Sequence, residues 1–111
     1  MKYILLISIA LMSMSLGFKP KTETVVIKTS AECGECKERI EAKLNYTKGI
    51  SFADLNYETQ ELTVKFKPDV TSLLEIKTIV SELGYDADEV KANPTAQKAL
   101  PACCQPNGMK H

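Results

Sequence analysis

Two helices laid on one face of a four-stranded antiparallel sheet is the α+β architecture the sequence predicts, and three observations predict it. Apolar and polar residues alternate from Glu61 to Phe66, with Leu62, Val64 and Phe66 on one side and Thr63 and Lys65 on the other, as a sheet with one covered face requires. Apolar residues recur at helical spacing in two places, Cys36, Ile40 and Leu44, then Ile76, Ile79, Val80 and Leu83. The segments run strand, helix, strand, strand, helix, strand, an order that two packed layers accommodate.

The first element is not part of that body. Met1 to Gly17 opens with Lys2, continues as the apolar run Ile4 to Leu16 interrupted only by serines and other small residues, and ends on Ser15-Leu16-Gly17. This is the three-part form of a secretory signal peptide cut after Gly17. The run is short for a bilayer core of about 30 Å, so cleavage is expected over a retained membrane anchor. Export places the mature chain in a bacterial periplasm or outside the cell, where thiols can oxidise. Residues 18–21 read as a linker.

Thr22 to Thr29, with Val25-Val26-Ile27 at its heart, is rich in β-branched residues and predicts the first strand. The helix from Cys36 to Leu44 follows, its charged Lys37, Glu38, Glu41 and Lys43 on the wet face, and Gly49 ends the segment after it. Ile50 to Tyr57 and Glu61 to Phe66, joined by Glu58-Thr59-Gln60, predict an antiparallel hairpin. Pro68 closes it. Ser72 with Glu75 is a capping-box signal for the second helix, which Gly84 stops. Tyr85 to Val90 predicts a weak, acidic last strand. From residue 92 onward Pro94, Pro101, Pro106 and Gly108 break any periodicity, so 92–111 is expected to be a mobile tail. This element order is that of a ferredoxin-like βαββαβ sandwich.

A chain of 111 residues with 44% hydrophobic and 25% charged residues is one ordinary globular domain. Its 14 basic and 14 acidic residues cancel, and no basic run marks a nucleic-acid footprint, which leaves proteins and small ions as partners. A Ser/His/Asp set and a phosphate loop are both missing from the sequence, so the chain is not expected to be an enzyme in its own right.

The chemistry lies in four cysteines, paired as Cys33/Cys36 and Cys103/Cys104. Cys33-Gly34-Glu35-Cys36 falls where the first strand turns into the first helix. Unpaired backbone N–H groups and the positive end of the helix dipole favour thiolate there. Two sulfurs three residues apart across such a turn can converge on one soft ion, at about 2.3 Å each if it were zinc. Glu35 between them opposes thiolate formation by like-charge repulsion. Cys103 and Cys104, with Met109 and His111, make a second set of soft donors. Either they fold back as further ligands or hold their own site, or the cysteines pair in disulfides. The competing use of Cys33 and Cys36 is a thiol–disulfide redox couple, and a third reading is an interaction domain with an oxidised CxxC.

With the CxxC at Cys33 and Cys36, this element order, and Leu83-Gly84-Tyr85 after the second helix, residues 22–91 resemble the heavy-metal-associated domain family. That family includes soluble copper chaperones, periplasmic mercury-binding proteins and the N-terminal modules of metal-exporting P-type ATPases. The resemblance implies that Cys33 and Cys36 bind one soft metal, commonly Cu(I), in an exposed two-coordinate loop at the rim of the domain. It implies stepwise thiolate exchange with a metal transporter or other acceptor, and a place for Tyr85 beside the metal without ligating it. A monomer is expected, with a metal-bridged dimer as the alternative. Two departures stand out. Ala31 replaces the usual methionine two residues before the first cysteine, which implies a less firmly fixed loop. Glu32 stands where zinc, cadmium and lead exporters carry an acidic ligand, and a carboxylate suits a divalent ion better than Cu(I), so Zn(II), Cd(II) and Hg(II) remain open beside Cu(I).

Overall fold

The β-branched run of the N-terminal region forms β1 (Glu23–Lys28), and the chain continues through helix α1 (Gly34–Leu44), strands β2 (Ile50–Asn56) and β3 (Glu61–Phe66) and helix α2 (Leu73–Glu82). A short helix α3 (Pro94–Lys98) and a 3-10 turn (Ala102–Cys104) complete it. This computed structural model describes residues 21–105. The signal-peptide reading of 1–17, most of the 18–21 linker, Met109 and His111 all lie outside the described residues.

The antiparallel sheet has the order β1-β3-β2. Val25 pairs with Val64 and Ile27 with Leu62 on one side of β3, and Ala53 with Val64 and Leu55 with Leu62 on the other. Ile27, Ala53, Leu55, Leu62, Val64 and Phe66 thereby share the face that the helices cover, and Ile40, Leu44, Ile76 and Val80 close on it. Both predicted periodicities are therefore the core itself.

The α1 side chains also settle the open edge of β2. Lys37 Nζ donates to Leu55 O (2.9 Å), Glu41 Oε2 accepts from Leu55 N (2.8 Å), and Asn45 exchanges two hydrogen bonds with Ala53, 3.0 and 3.2 Å. Residues 37, 41 and 45 form one stripe at helical spacing, so a single helix face satisfies four backbone groups that an edge strand leaves free. Lys37 is thus no free surface cation: it also pairs with Glu41 at 2.6 Å and Asp54 at 3.0 Å.

The second helix starts as predicted. Ser72 Oγ accepts from Glu75 N at 3.2 Å. The Glu75 carboxylate, however, accepts from Thr71 Oγ1 (2.8 Å) instead of reaching back to Ser72, so half of the capping box forms.

The expected fourth strand is reduced to an isolated bridge, Thr29 to Ala87. Beyond it Asp88 takes a left-handed φ of 50° and the chain doubles back, with Ala87 and Val90 exchanging backbone hydrogen bonds at 2.9 Å. Asp88 still covers the β1 edge once, since its N–H donates to Lys28 O and its Oδ1 accepts from Lys28 N, both at 2.8 Å. Lys77 of α2 holds the turn from the other side, bonding both Glu89 carboxylate oxygens at 2.9 Å.

The segment expected to be a mobile tail is packed as far as it is described. Asn93 caps α3 by accepting from Ala96 N at 3.1 Å, Pro94 takes the first helical position, and Leu100 and Cys104 enter the core. Gly84 makes this possible: it has a φ of +107°, and a Cβ there would come within 3.0 Å of the Ala96 and Gln97 backbone.

Because Leu62 lies on the central strand with no exposed surface, Leu62→Ala should lower the unfolding free energy by roughly 2–5 kcal/mol in a denaturant titration. A change below about 1 kcal/mol would place the core elsewhere.

Candidate metal centre

Cys33 is the N-cap residue of α1, with extended backbone angles of −141° and 166°. That conformation ends the loop from β1 and starts the helix, and it turns the Cys33 side chain back toward the first helical turn. Cys36, one turn along the stripe that continues through Ile40 and Leu44, faces inward. The two sulfurs lie 3.1 Å apart. The loop before them is pinned by hydroxyls. Thr29 Oγ1 accepts from Ala31 N (3.2 Å) and donates to Gln60 O (3.0 Å), and Ser30 Oγ accepts from Asp86 N (2.9 Å). Ala31 itself is fully buried, so the loop with alanine in place of methionine is anchored by Thr29 and Ser30.

The C-terminal pair reaches the same place. Cys104 Sγ lies 3.7 Å from Cys33 Sγ and 3.8 Å from Cys103 Sγ. The sulfurs of Cys33, Cys103 and Cys104 all fall within 4.8 Å of one another. No disulfide joins the four cysteines. The exposed rim that the sequence led us to expect is therefore absent: Cys33 is 8% exposed, Cys36 0% and Cys104 2%. The sulfurs do converge, but beneath a cover contributed by the chain's own C-terminal segment.

The thiols are inequivalent. Burial pushes Cys33 up, but hydrogen bonds from the Cys36 thiol and backbone N–H, with smaller ones from Cys103 and Cys104, outweigh it and hold Cys33 below its ordinary value. Burial, aided by donation to Cys104 and Cys33, drives Cys36 up to about 12. Cys104 is raised chiefly by burial. Cys103 donates to Glu35 Oε2 at 3.1 Å, and that bond, more than any other cause, lifts it to about 11. The acidic residue between the CxxC thiols thus acts on the thiol across the cluster.

The remaining candidates divide. Tyr85 is completely buried, and its hydroxyl lies beside Cys36 and Cys104 without a well-formed hydrogen bond to either. Burial raises its phenol well above the ordinary value. It stands beside the sulfur cluster as a wall. The Glu32 carboxylate does not join the gathered donor group, whose members are cysteines. What sequence reasoning missed is the Glu35 to Cys103 contact and the anchoring of 92–105. Asn93-Pro94, a cap followed by a helix-starting proline, was the available signal for the latter.

Such a set of polarizable sulfurs suits thiophilic d10 ions. Among curated relatives, human Copper-transporting ATPase 2 is 35% identical over 68 residues, which cover 61% of this chain and 5% of that protein. A Copper-exporting P-type ATPase of Staphylococcus epidermidis is 33% identical over 84 residues, covering 75% and 10%. The chain thus spans a tenth or less of the length of these relatives. Among solved structures, the CopZ metallochaperone superposes with a TM-score of 0.56 at 26% identity, covering 59% of this chain and 98% of that one. The N-terminal domain of a potential copper-translocating P-type ATPase from Bacillus subtilis, in its Cu(I)-loaded state, gives 0.56 at 28% identity, covering 65% and 99%. The family model for the heavy-metal-associated domain matches residues 25–86, and with more than half of its length inside that match the chain belongs to the heavy-metal-associated domain family.

Proposed function

We propose that this chain is an exported soft-metal-binding module that takes one thiophilic ion on Cys33 and Cys36 and passes it to, or withholds it from, a metal transporter or other acceptor protein. The observation that carries this reading is the convergence of the two CxxC sulfurs, 3.1 Å apart, at the N-terminus of α1. Metal binding through thiolates is what such a pair does best, and Cu(I) is the foremost cargo. It prefers few, soft ligands, and the relatives whose names state a metal state copper. Zn(II), Cd(II) and Hg(II) are the other candidates on sulfur chemistry; the Glu32 carboxylate, which is not among the gathered donors, offers them no further support. Export rests on the Lys2 and Ile4 to Leu16 pattern.

A second reading has its own observation. Sulfurs at 3.1 Å need close by only about 1 Å to form a disulfide, so Cys33 and Cys36 could cycle as a redox couple. An anaerobic competition of Cu(I), Zn(II) and Hg(II) for the reduced chain, followed by a reduction-potential measurement, separates the two. The metal reading expects one ion held tightly enough to survive desalting, and loss of that retention in Cys33→Ser/Cys36→Ser. A reduced chain that retains none of the three ions overturns it.

The binding should also depend on pH in a fixed direction. Cys36, at about 12, carries its proton throughout the neutral range, so an ion that binds it must displace that proton. Apparent affinity should therefore rise by about tenfold per pH unit between about pH 6 and 8 for each proton displaced, and fall on acidification. A flat profile in a chelator-competition titration would remove Cys36 from the ligand set.

A further inference from the structure

The family match ends at residue 86, and CopZ, nearly all of which superposes, covers 59% of this chain. Residues 92–105 therefore lie beyond the family match. They are nevertheless built onto the domain. Asn93 N donates to Ser81 O (2.9 Å), Ser81 Oγ to Lys91 O (2.6 Å) and Ala92 N to Asp86 Oδ1 (2.9 Å), which fix where the segment leaves the domain. The segment then crosses Gly84, whose missing side chain admits α3. Gln105 Nε2 locks the return by donating to Gln97 O (2.6 Å) and Leu100 O (2.9 Å). All this anchoring delivers two side chains to the site, Cys103 and Cys104.

The spacings decide what those thiols can do. Sulfurs about 2.3 Å from one ion lie about 3.8 Å apart in a tetrahedral set and about 4.0 Å apart in a trigonal one. Cys33 to Cys104, at 3.7 Å, and Cys103 to Cys104, at 3.8 Å, are already near those edges. The Cys33 to Cys36 pair, at 3.1 Å, needs to open by less than 1 Å, and Cys36, which is not one of the three sulfurs gathered within 4.8 Å of one another, joins the set through Cys33. An ion held by two sulfurs in line would instead separate them by about 4.6 Å, further from the pair as it stands.

Resting on the metal-binding reading above, we propose that residues 92–105 are a ligand-bearing arm that gives an ion on Cys33 and Cys36 a third thiolate from Cys104, with Cys103 at the fourth position. The cargo class that fits is a d10 ion accepting three or four thiolates, and the arm makes the site one that retains its ion. A partner's thiolate must displace Cys104 before it can reach the metal, so release is gated by the arm.

The test uses the reduced full chain and Cd(II), whose thiolate charge-transfer absorption grows with the number of Cd–S bonds. Variants are first checked by far-UV circular dichroism. Per bound Cd(II), Cys104→Ser should lose about a quarter to a third of the band, and Cys103→Ser/Cys104→Ser up to about a half. Transfer of Cd(II) to EDTA should speed up by about tenfold or more in the double variant. In the unsubstituted chain, the 113Cd resonance should fall in the region of three or four sulfur ligands. A two-sulfur resonance, or an unchanged band and transfer rate in the double variant, overturns the arm and leaves the CxxC reading intact. Failure of the unsubstituted chain to develop any charge-transfer band overturns both.

Discussion

The position of Cys33 is the constraint on which the rest of the site depends. As the N-cap of α1 it is the one residue whose backbone belongs to the loop and whose side chain faces the helix start. Its sulfur is the common neighbour of Cys36 at 3.1 Å and Cys104 at 3.7 Å. The loop reaches that point because Thr29 and Ser30 tie it to Gln60 and Asp86, two segments brought in by the hairpin and by the end of α2. The whole sheet is thereby used to hold one sulfur in place.

The same economy explains the short fourth strand. A full strand beside β1 would carry the chain along the sheet edge and away from α1. Instead the left-handed turn at Asp88, held by Lys77 and by the paired bonds to Lys28, sends residues 91–93 back across the end of α2. What is lost in ladder hydrogen bonds along β1 is the route by which α3 and the 3-10 turn reach the cysteines. On the opposite edge Lys37, Glu41 and Asn45 do what a further strand would have done for β2. One edge is thus closed by side chains at helical spacing, and the other by Asp88, which lies 60 residues from its partner Lys28.

Much of this was legible in the residues, and the limits have physical causes. Period-two alternation fixed β3, and the four-residue recurrence of Cys36, Ile40 and Leu44 fixed α1, because those patterns are the buried faces. The strand-to-helix placement of Cys33 and Cys36 followed from the same patterns. The C-terminal segment was illegible by periodicity: α3 is five residues long with none of them buried, too short to present an apolar stripe. Its anchoring comes from capping and from a close approach at Gly84, features that become visible only when partners distant in sequence are known. Lys37 misled for a related reason. A cation on the wet side of a helical wheel reads as solvated, yet its partners, Asp54 and Leu55 O, belong to a strand 17 or more residues away. The packing of Cys104 against Cys33 was hidden by the same gap, whereas Cys36 is buried as the first member of the α1 stripe.

The inequivalence of the thiols gives the cluster a direction. Cys33, held low chiefly by donors from Cys36, is the thiol shifted toward negative charge, while Cys36, Cys103 and Cys104 are all raised. On the proposed reading, a cation drawn to Cys33 would replace the protons that Cys36 and Cys104 share with it. Each proton lost on that reading would turn a hydrogen-bond donor into a ligand, with Cys104 already 3.7 Å from Cys33 and Cys36, at 3.1 Å, having to move outward. Glu35 keeps the last of these in reserve: while its carboxylate accepts from Cys103, that thiol stays protonated and turned toward the surface. Recruiting Cys103 then means breaking a charge-assisted hydrogen bond, a cost that the other three sulfurs do not carry. On the proposed reading, the fourth position is therefore the last to close and the first to open.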